Sequence, residues 1–281
     1  MNGRAQSLVA ALLSLIFLGI FLGIWHLATA PKTQAQAPVD EYSKLLGKGA
    51  GAKKSQGFPT LSQIGEAALA QLKDPLYDRG ANDKGIGIQL GWSLARVAAG
   101  YCLAILFAVP LGFLIGMSPI LHRALNPFIQ LLKPISPLAW MPIALYTIKD
   151  SSISGVFVIF ICSVWPMLIN TAFGVASVRR DWLNVARTLE VTPWRKAFEV
   201  ILPAAAPTIL TGMRISIGIA WLVIVAAEML VGGTGIGYFV WNEWNNLNLT
   251  NVIFAILVIG VVGMILDFLI GRLQAAVTYV E

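Results

Sequence analysis

The chain has 281 residues, of which 57% are hydrophobic and only 12% charged, with a net charge of +6. A soluble domain carries roughly 25% charged residues, so the composition excludes an ordinary globular enzyme and points to a chain that faces lipid along most of its length. The basic balance would suggest nucleic acid in a soluble protein, but here the positive bias of cytoplasmic loops in membrane proteins accounts for it.

Apolar runs of membrane length, at least about 18 residues, occupy roughly 8–28, 88–117, 126–148, 153–175, 204–231 and 250–271. Six spans are expected. Ala-x-Ala patterns follow the first run at Ala28–Ala30 and Ala35–Ala37. Its apolar core nevertheless exceeds the roughly 7–15 residues of a signal-peptide core, so it reads as a retained span. Residues 31–57, rich in Ala, Gly, Gln and Lys, read as a flexible tether, and 60–73 as a helix on the membrane surface. Within the tether, Gly47–Ser55 resembles a phosphate-binding loop but lacks a Gly directly before a Lys-Ser/Thr pair, so the chain is expected to have no nucleotide site of its own. Cys102 and Cys162 sit inside apolar runs without His or Cys neighbours and read as small hydrophobes, neither metal-binding nor catalytic. Pro134, Pro137 and Pro142 interrupt the third run. Arg96, near the start of the second, is placed to snorkel to the interface, and Asp267 lies near the inner end of the sixth.

Between the fourth and fifth runs, residues 178–203 form a charged insert in two amphipathic halves. Trp182, Val185, Ala186 and Leu189 make one stripe at helical spacing, and Trp194, Ala197, Phe198 and Ile201 make a second. Asp181 fits the cap of the first helix, and Thr192–Pro193 fit the N-cap and N1 positions of the second. Two short surface helices tied to spans at both ends form a docking element on which a partner can push.

Span five carries the costly residues. Arg214, Gly218, Trp221, Val225 and Glu228 form one helical stripe, and a charge inside the bilayer costs about 3 kcal/mol or more. Two readings stay open for Arg214: a fixed charge offered to an anion in a water-filled path, or a structural partner of a neighbouring span. Glu228 favours a structural place, since a carboxylate lining the route would repel an anion. Gly232–Gly237 (GGTGIG) ends a span rather than following a strand. It reads as a tight turn at the outer mouth, with backbone N–H groups available to a passing anion as the alternative.

With the N-terminus inside, the inner segments collect Arg4, His122, Arg123, Arg179, Arg180, Arg187, Arg195, Lys196 and Arg272, while 232–249 holds no Lys or Arg. Both termini are expected in the cytoplasm. The stretch 29–87 would then lie outside with eight basic residues, which long loops tolerate.

These segments resemble the permease subunits of type I ABC importers, whose cytoplasmic loop follows E-A-A-x3-G-x9-I-x-L-P. Asn184, Val185, Ala186, Glu190 and Val200–Leu202–Pro203 stand at the matching positions; Ala186, Leu202 and Pro203 fit the pattern, while Glu190 replaces the glycine. SLARVAAGY (93–101), PISPLAWMPIAL (134–145), VWPMLIN (164–170) and the run 210–241 are similar to the nitrate, bicarbonate, cyanate, sulfonate and taurine branch. Tyr146–Thr147–Ile148, where sulfonate permeases carry WFG, leans toward nitrate or bicarbonate. The resemblance covers roughly 88–272. It implies an all-α membrane protein of about six spans: a first helix in 1–30, a periplasmic linker with surface helix at 31–87, a five-span core at 88–272 with its coupling loop at 178–203, and a cytoplasmic tail at 273–281.

The resemblance further implies a homodimer of permeases in a bacterial inner membrane. Two ATP-binding subunits would hold ATP and Mg²⁺, and a periplasmic or lipid-anchored binding protein would deliver a small anion. Asn184, Val185, Ala186, Arg187, Thr188, Leu189 and Glu190 become the ATPase-coupling residues, and Arg214, Gly218, Trp221 and Glu228 the candidates along the path. No catalytic or metal-ligating residue is expected. A stand-alone channel or ion-coupled carrier is the competing class, though the inverted repeats common in such carriers are not evident. An intramembrane enzyme lacks any suitable set of carboxylates, Ser/His or metal ligands.

Overall fold

A computed structural model describes residues 3–29, 58–80 and 83–277; the tether with Gly47–Ser55 lies outside the described residues. Among the described residues ten helices follow one another: α1 Gly3–Thr29, α2 Leu61–Lys73, α3 Ile86–Met117, α4 Pro119–Leu132, α5 Pro137–Ile148, α6 Ser151–Ala176, α7 Arg180–Thr188, α8 Pro193–Val231, α9 Ile236–Asn245 and α10 Leu249–Val277. Among the described residues the only β pairing is an isolated bridge between Asp78 and Lys84. Helices are the expected solution, because a span in hydrocarbon must satisfy every backbone group within itself.

The chain divides into two units, Met1–Lys73 with Glu243–Phe254, and Asp74–Asn242 with Ala255–Glu281. In the first, Trp25 of α1 donates its indole N–H to the Pro59 carbonyl at 3.1 Å and packs its ring 5.3 Å from that of Phe58. This ties the approach to α2 to the end of α1.

The second unit is built on α3, α6 and α8. In hydrocarbon, apolar burial gives helices no reason to associate, so small residues that admit close backbone approach decide the packing. Gly112 and Gly116 of α3, four residues apart, meet α6 directly: a Cβ at Gly112 would lie 2.8 Å from the Leu168 carbonyl oxygen, and one at Gly116 2.6 Å from that of Ala172. Gly100 meets Val156 in the same way. The pairing advances in step along both chains, so α3 and α6 run parallel. On the other face of α6, Gly212 of α8 approaches Pro166 and Asn170 while Gly174 approaches Ala205 and Thr208. Here the numbers move in opposite senses and α8 is antiparallel.

Parallel α3 and α6 require the chain between them to return across the bundle. That return is α4 and α5, joined at a 91° bend. The break falls at Lys133–Ser136: Lys133 is still helical, and Ser136, before Pro137, turns out of the helix with ψ of 133°, as a residue preceding proline tends to. The single run expected at 126–148 is therefore a broken crossing. Five helices are long and apolar enough to span, and the bent pair makes a sixth crossing. α10 runs antiparallel to α8, with Trp221 donating to the Ile259 carbonyl at 2.9 Å and Arg214 meeting Asp267 further along. Its C-terminal end accordingly lies at the same end of the bundle as α7.

Gly112→Val should destabilise the purified protein by about 1–3 kcal/mol through overpacking, read as a lower thermal midpoint. Gly91→Ala, on the same helix but with open space at its Cβ, should leave the midpoint unchanged or slightly raised.

Candidate functional site

At one end of the bundle, α7 and the start of α8 form a knuckle. Arg179 is the N-cap of α7, so Asp181 stands inside the first turn rather than capping the helix as expected. Its negative charge there still suits the helix N-terminus. Ala186 is buried and Leu183 packs on a cluster of Val175, Val178, Ile201, Ala205 and Ile209, which anchors the helix to the bases of α6 and α8. The expected stripe is thereby divided. Ala186 faces in, whereas Trp182, Val185 and Leu189 point out, 41%, 59% and 70% exposed. Asn184, Arg187, Thr188 and Glu190 are exposed beside them.

Glu190 takes up the bend that the family's glycine would make. Its φ is +53°. The Val191 N–H donates to the Ala186 carbonyl at 3.0 Å and the Glu190 N–H to that of Arg187 at 3.1 Å, the two-bond closure that ends many helices on a left-handed residue. The departure from the family pattern thus changes the residue and keeps the conformation. Thr192 and Pro193 occupy the N-cap and N1 positions as read from the sequence. The second half of the insert, however, is not a separate surface helix. It passes through a π-helical segment, Lys196–Ile201, directly into α8, with Trp194 and Phe198 stacked 6.1 Å apart and exposed.

At the opposite end, Glu228 is 4% exposed and collects partners from three directions. Arg96 Nη1 donates to its Oε1 at 2.7 Å, the Ser93 hydroxyl to both carboxylate oxygens at 2.8–2.9 Å, and the Gly237 N–H to Oε2 at 3.0 Å. The loop after α8 is fastened to the same cluster: Gly235 N–H donates to Gln89 Oε1 at 2.6 Å, Ile236 N–H to Ser93 Oγ at 2.9 Å, and Arg96 to the Thr234 carbonyl at 2.6 Å and to Ser152. A cavity of about 10 Å³ beside Arg96 and Glu228 has room for roughly one water. Gly232 and Gly233 carry φ of +79° and +94°, and a Cβ at Gly237 would overlap the Val225 carbonyl; glycine is required for this turn. The N–H groups of Gly235, Ile236 and Gly237 are engaged by the protein's own Gln89, Ser93 and Glu228.

The stripe on α8 is therefore split. Arg214 reaches α10, where its Nε and Nη2 donate to Asp267 Oδ1 and Oδ2 at 2.7 and 2.6 Å. Gly218 is exposed with open space at its Cβ. Trp221 is buried against α10, and Glu228 is enclosed by α3 and the loop. Arg214 and Glu228 belong to two separate ion pairs. Sequence reasoning weighed these two against each other along one helix and missed their partners Asp267 and Arg96. Matching unlike charges at similar depth on antiparallel spans would have found both. No group of residues fit to hold a metal occurs among the described residues.

Glu228→Ala should cost about 3–5 kcal/mol by leaving Arg96 buried and unpaired, and Arg96→Met with Glu228→Met should recover most of that loss; thermal unfolding checks both. Glu190→Gly should stabilise by about 1 kcal/mol, relieving a left-handed residue with a Cβ.

Residues 108–279 match the family model described as "Binding-protein-dependent transport system inner membrane component". The nitrate import permease protein NrtB of Synechocystis sp. is 42% identical over 228 residues, covering 81% of this chain and 83% of its own length. That of Leptolyngbya laminosa is 39% identical over 258 residues, 92% and 84% of the two chains. The bicarbonate transport system permease protein CmpB of Synechocystis sp. is 47% identical over 169 residues, 60% of each. Among solved structures, the inward-facing MetNI methionine ABC transporter has the same fold, with a TM-score of 0.60 at 16% identity over 67% of this chain and 94% of that one. ABC importer permeases work with ATP-binding subunits and a substrate-binding protein. The chain belongs to the binding-protein-dependent transport system inner membrane components: it is a multi-pass permease subunit of an ABC importer, a transport protein and not an enzyme.

Proposed function

We propose that this chain forms the membrane path of an ATP-driven importer of nitrate. The observation that carries the reading is its identity to nitrate import permeases over most of both chains, 42% across 228 residues in one case and 39% across 258 in another. Bicarbonate is the second reading, favoured by the higher identity, 47%, to a bicarbonate permease over a shorter stretch. Both are small planar oxyanions, and the same path would suit either.

Two copies of the chain pair in a bacterial inner membrane with both termini in the cytoplasm. The knuckle end bears Arg179, Arg180, Arg187, Arg195 and Lys196, as the positive-inside bias favours. Each copy presents Asn184–Glu190 to one of two ATP-binding subunits, which hold ATP and Mg²⁺, while a periplasmic or lipid-anchored protein delivers the anion from the other side. The outward-facing Trp182, Val185 and Leu189 support this docking, since an apolar row turned away from its own core fits a partner's cleft. ATP drives the spans only through unequal contact with their two arrangements, and the knuckle is the place for that contact. Arg214 and Gly218 lie on the face that lines the path; Trp221 and Glu228 brace its wall.

Val185→Asp with Leu189→Asp should leave the protein inserted and assembled as a permease pair yet reduce ATP-dependent anion uptake by roughly 100-fold, the upper range of a site-to-site coupling. Uptake of labelled nitrate and bicarbonate by vesicles bearing the whole transporter checks this, and ranks the two anions. Normal uptake by the variant would refute the coupling role.

A further inference from the structure

The two ion pairs between spans are built differently. Arg96 and Glu228 are 12% and 4% exposed and locked in place by two further donors to the carboxylate, the Ser93 hydroxyl and the Gly237 N–H, and by two further acceptors for Arg96, the Thr234 carbonyl and the Ser152 hydroxyl. Arg214 and Asp267 are 44% and 49% exposed, and among the described residues each is held by the other alone. Space lies beside them. Gly218, one turn from Arg214 on the same face of α8, has nothing within 4 Å of where a Cβ would be, whereas on its other side the guanidinium rests against Gly271 of α10, where a Cβ would lie 3.4 Å from its carbon. A pair that served only to fasten α8 to α10 would gain from enclosure; this one is open.

The mode of pairing carries the argument further. Asp267 fills the guanidinium fork with two coplanar oxygens on a trigonal carbon, sharing one negative charge. Nitrate and bicarbonate offer the same charge on the same trigonal arrangement. We infer that Asp267 is a resident stand-in for the transported anion: its carboxylate occupies the Arg214 fork while the path is empty and yields it as an anion passes. This rests on the reading of the chain as an oxyanion importer. Exchange of one planar anion for another spares the guanidinium an unpaired charge inside the bilayer, where that is costly. The displaced carboxylate, half-exposed, turns to water. Competition also keeps the fork weak, because apparent affinity falls with the fraction of time a site is vacant. A site of passage has to release what it holds. Asp267 is thus a positioning residue that sets how firmly Arg214 grips an anion.

The test uses the permease with its ATP-binding subunits, purified without the binding protein so that the latter's affinity does not mask the fork. Labelled nitrate binding is measured, with labelled bicarbonate in parallel. Asp267→Asn should bind about three- to tenfold more tightly than the wild type, having lost the competitor, and Arg214→Gln added to it should cancel the gain. A merely structural role would move stability and leave affinity unchanged. Equal affinity in wild type and Asp267→Asn overturns the inference, as does tightening that survives the second substitution. Asp267→Ser serves as a second variant, and failure of both to assemble counts against the inference, because a displaceable carboxylate is dispensable for folding. Tightening for bicarbonate alone would keep the inference and overturn only the choice of nitrate.

Discussion

Close backbone contact is the constraint on which this molecule depends. Lipid tails are as apolar as leucine, so the spans gain little by burying apolar surface against one another. What holds α3, α6 and α8 is approach to the point where Gly100, Gly112, Gly116, Gly174 and Gly212 leave no space for a side chain. That spacing sets the register, and the register sets everything polar. It places the Ser216 hydroxyl 2.8 Å from the Ser163 carbonyl and the Tyr101 hydroxyl 2.9 Å from that of Met213. It also brings Arg96 level with Glu228. A slip of one residue along α3 would carry Tyr101 and Arg96 about 1.5 Å along and 100° around their helix, leaving a buried charge without its partner.

Much of this was legible in the sequence because the bilayer imposes a length that composition reports directly. Five of the six apolar runs coincide with long helices. The exception, 126–148, is informative, since hydropathy counts apolar residues and is blind to direction, while Pro134 and Pro137 bend the path without lowering the count. The knuckle was legible as a location and misread as a surface: helical spacing shows which residues share a face, not whether that face turns inward. Here Ala186 and Leu183 anchor and the larger Trp182, Val185 and Leu189 are left outward. The ion pairs were not legible one helix at a time. Each joins two spans more than fifty residues apart, and only the antiparallel arrangement of those spans brings the charges to one level.

Continuity between the knuckle and the path has a single carrier. α8 runs from Pro193 to Val231 without interruption, so Trp194 at the knuckle, Arg214 in the span and Glu228 at the far end ride on one rod. Its π-helical stretch at Lys196–Ile201 is the natural place for give, since such segments carry a looser bond pattern and recur at functional positions. Below it, Ile201 and Ala205 are packed with Val175 and Val178 of the preceding span and its exit, which makes α7 and the base of α8 move together. A push on α7 therefore arrives at Arg214 as motion of the rod.

The far end of α8 is fastened differently from its middle. Glu228 is held by α3 through Ser93 and Arg96 and by the loop through Gly237, while Gln89 and Ser93 hold the loop itself. The N–H groups of Gly235, Ile236 and Gly237 are thus occupied by two neutral side chains and a buried carboxylate, which fastens this part of the loop to α3 and to the end of α8. Arg214 lies some 14 residues and about 21 Å away along the rod, where α8 is joined to α10 through Asp267. One helix thus carries a half-exposed pair in its middle and a sealed pair towards its end. The exchange inferred for Arg214 needs a pair that can part without stranding a buried charge; the half-exposed pair with Asp267 meets that need, and the sealed Glu228 pair does not.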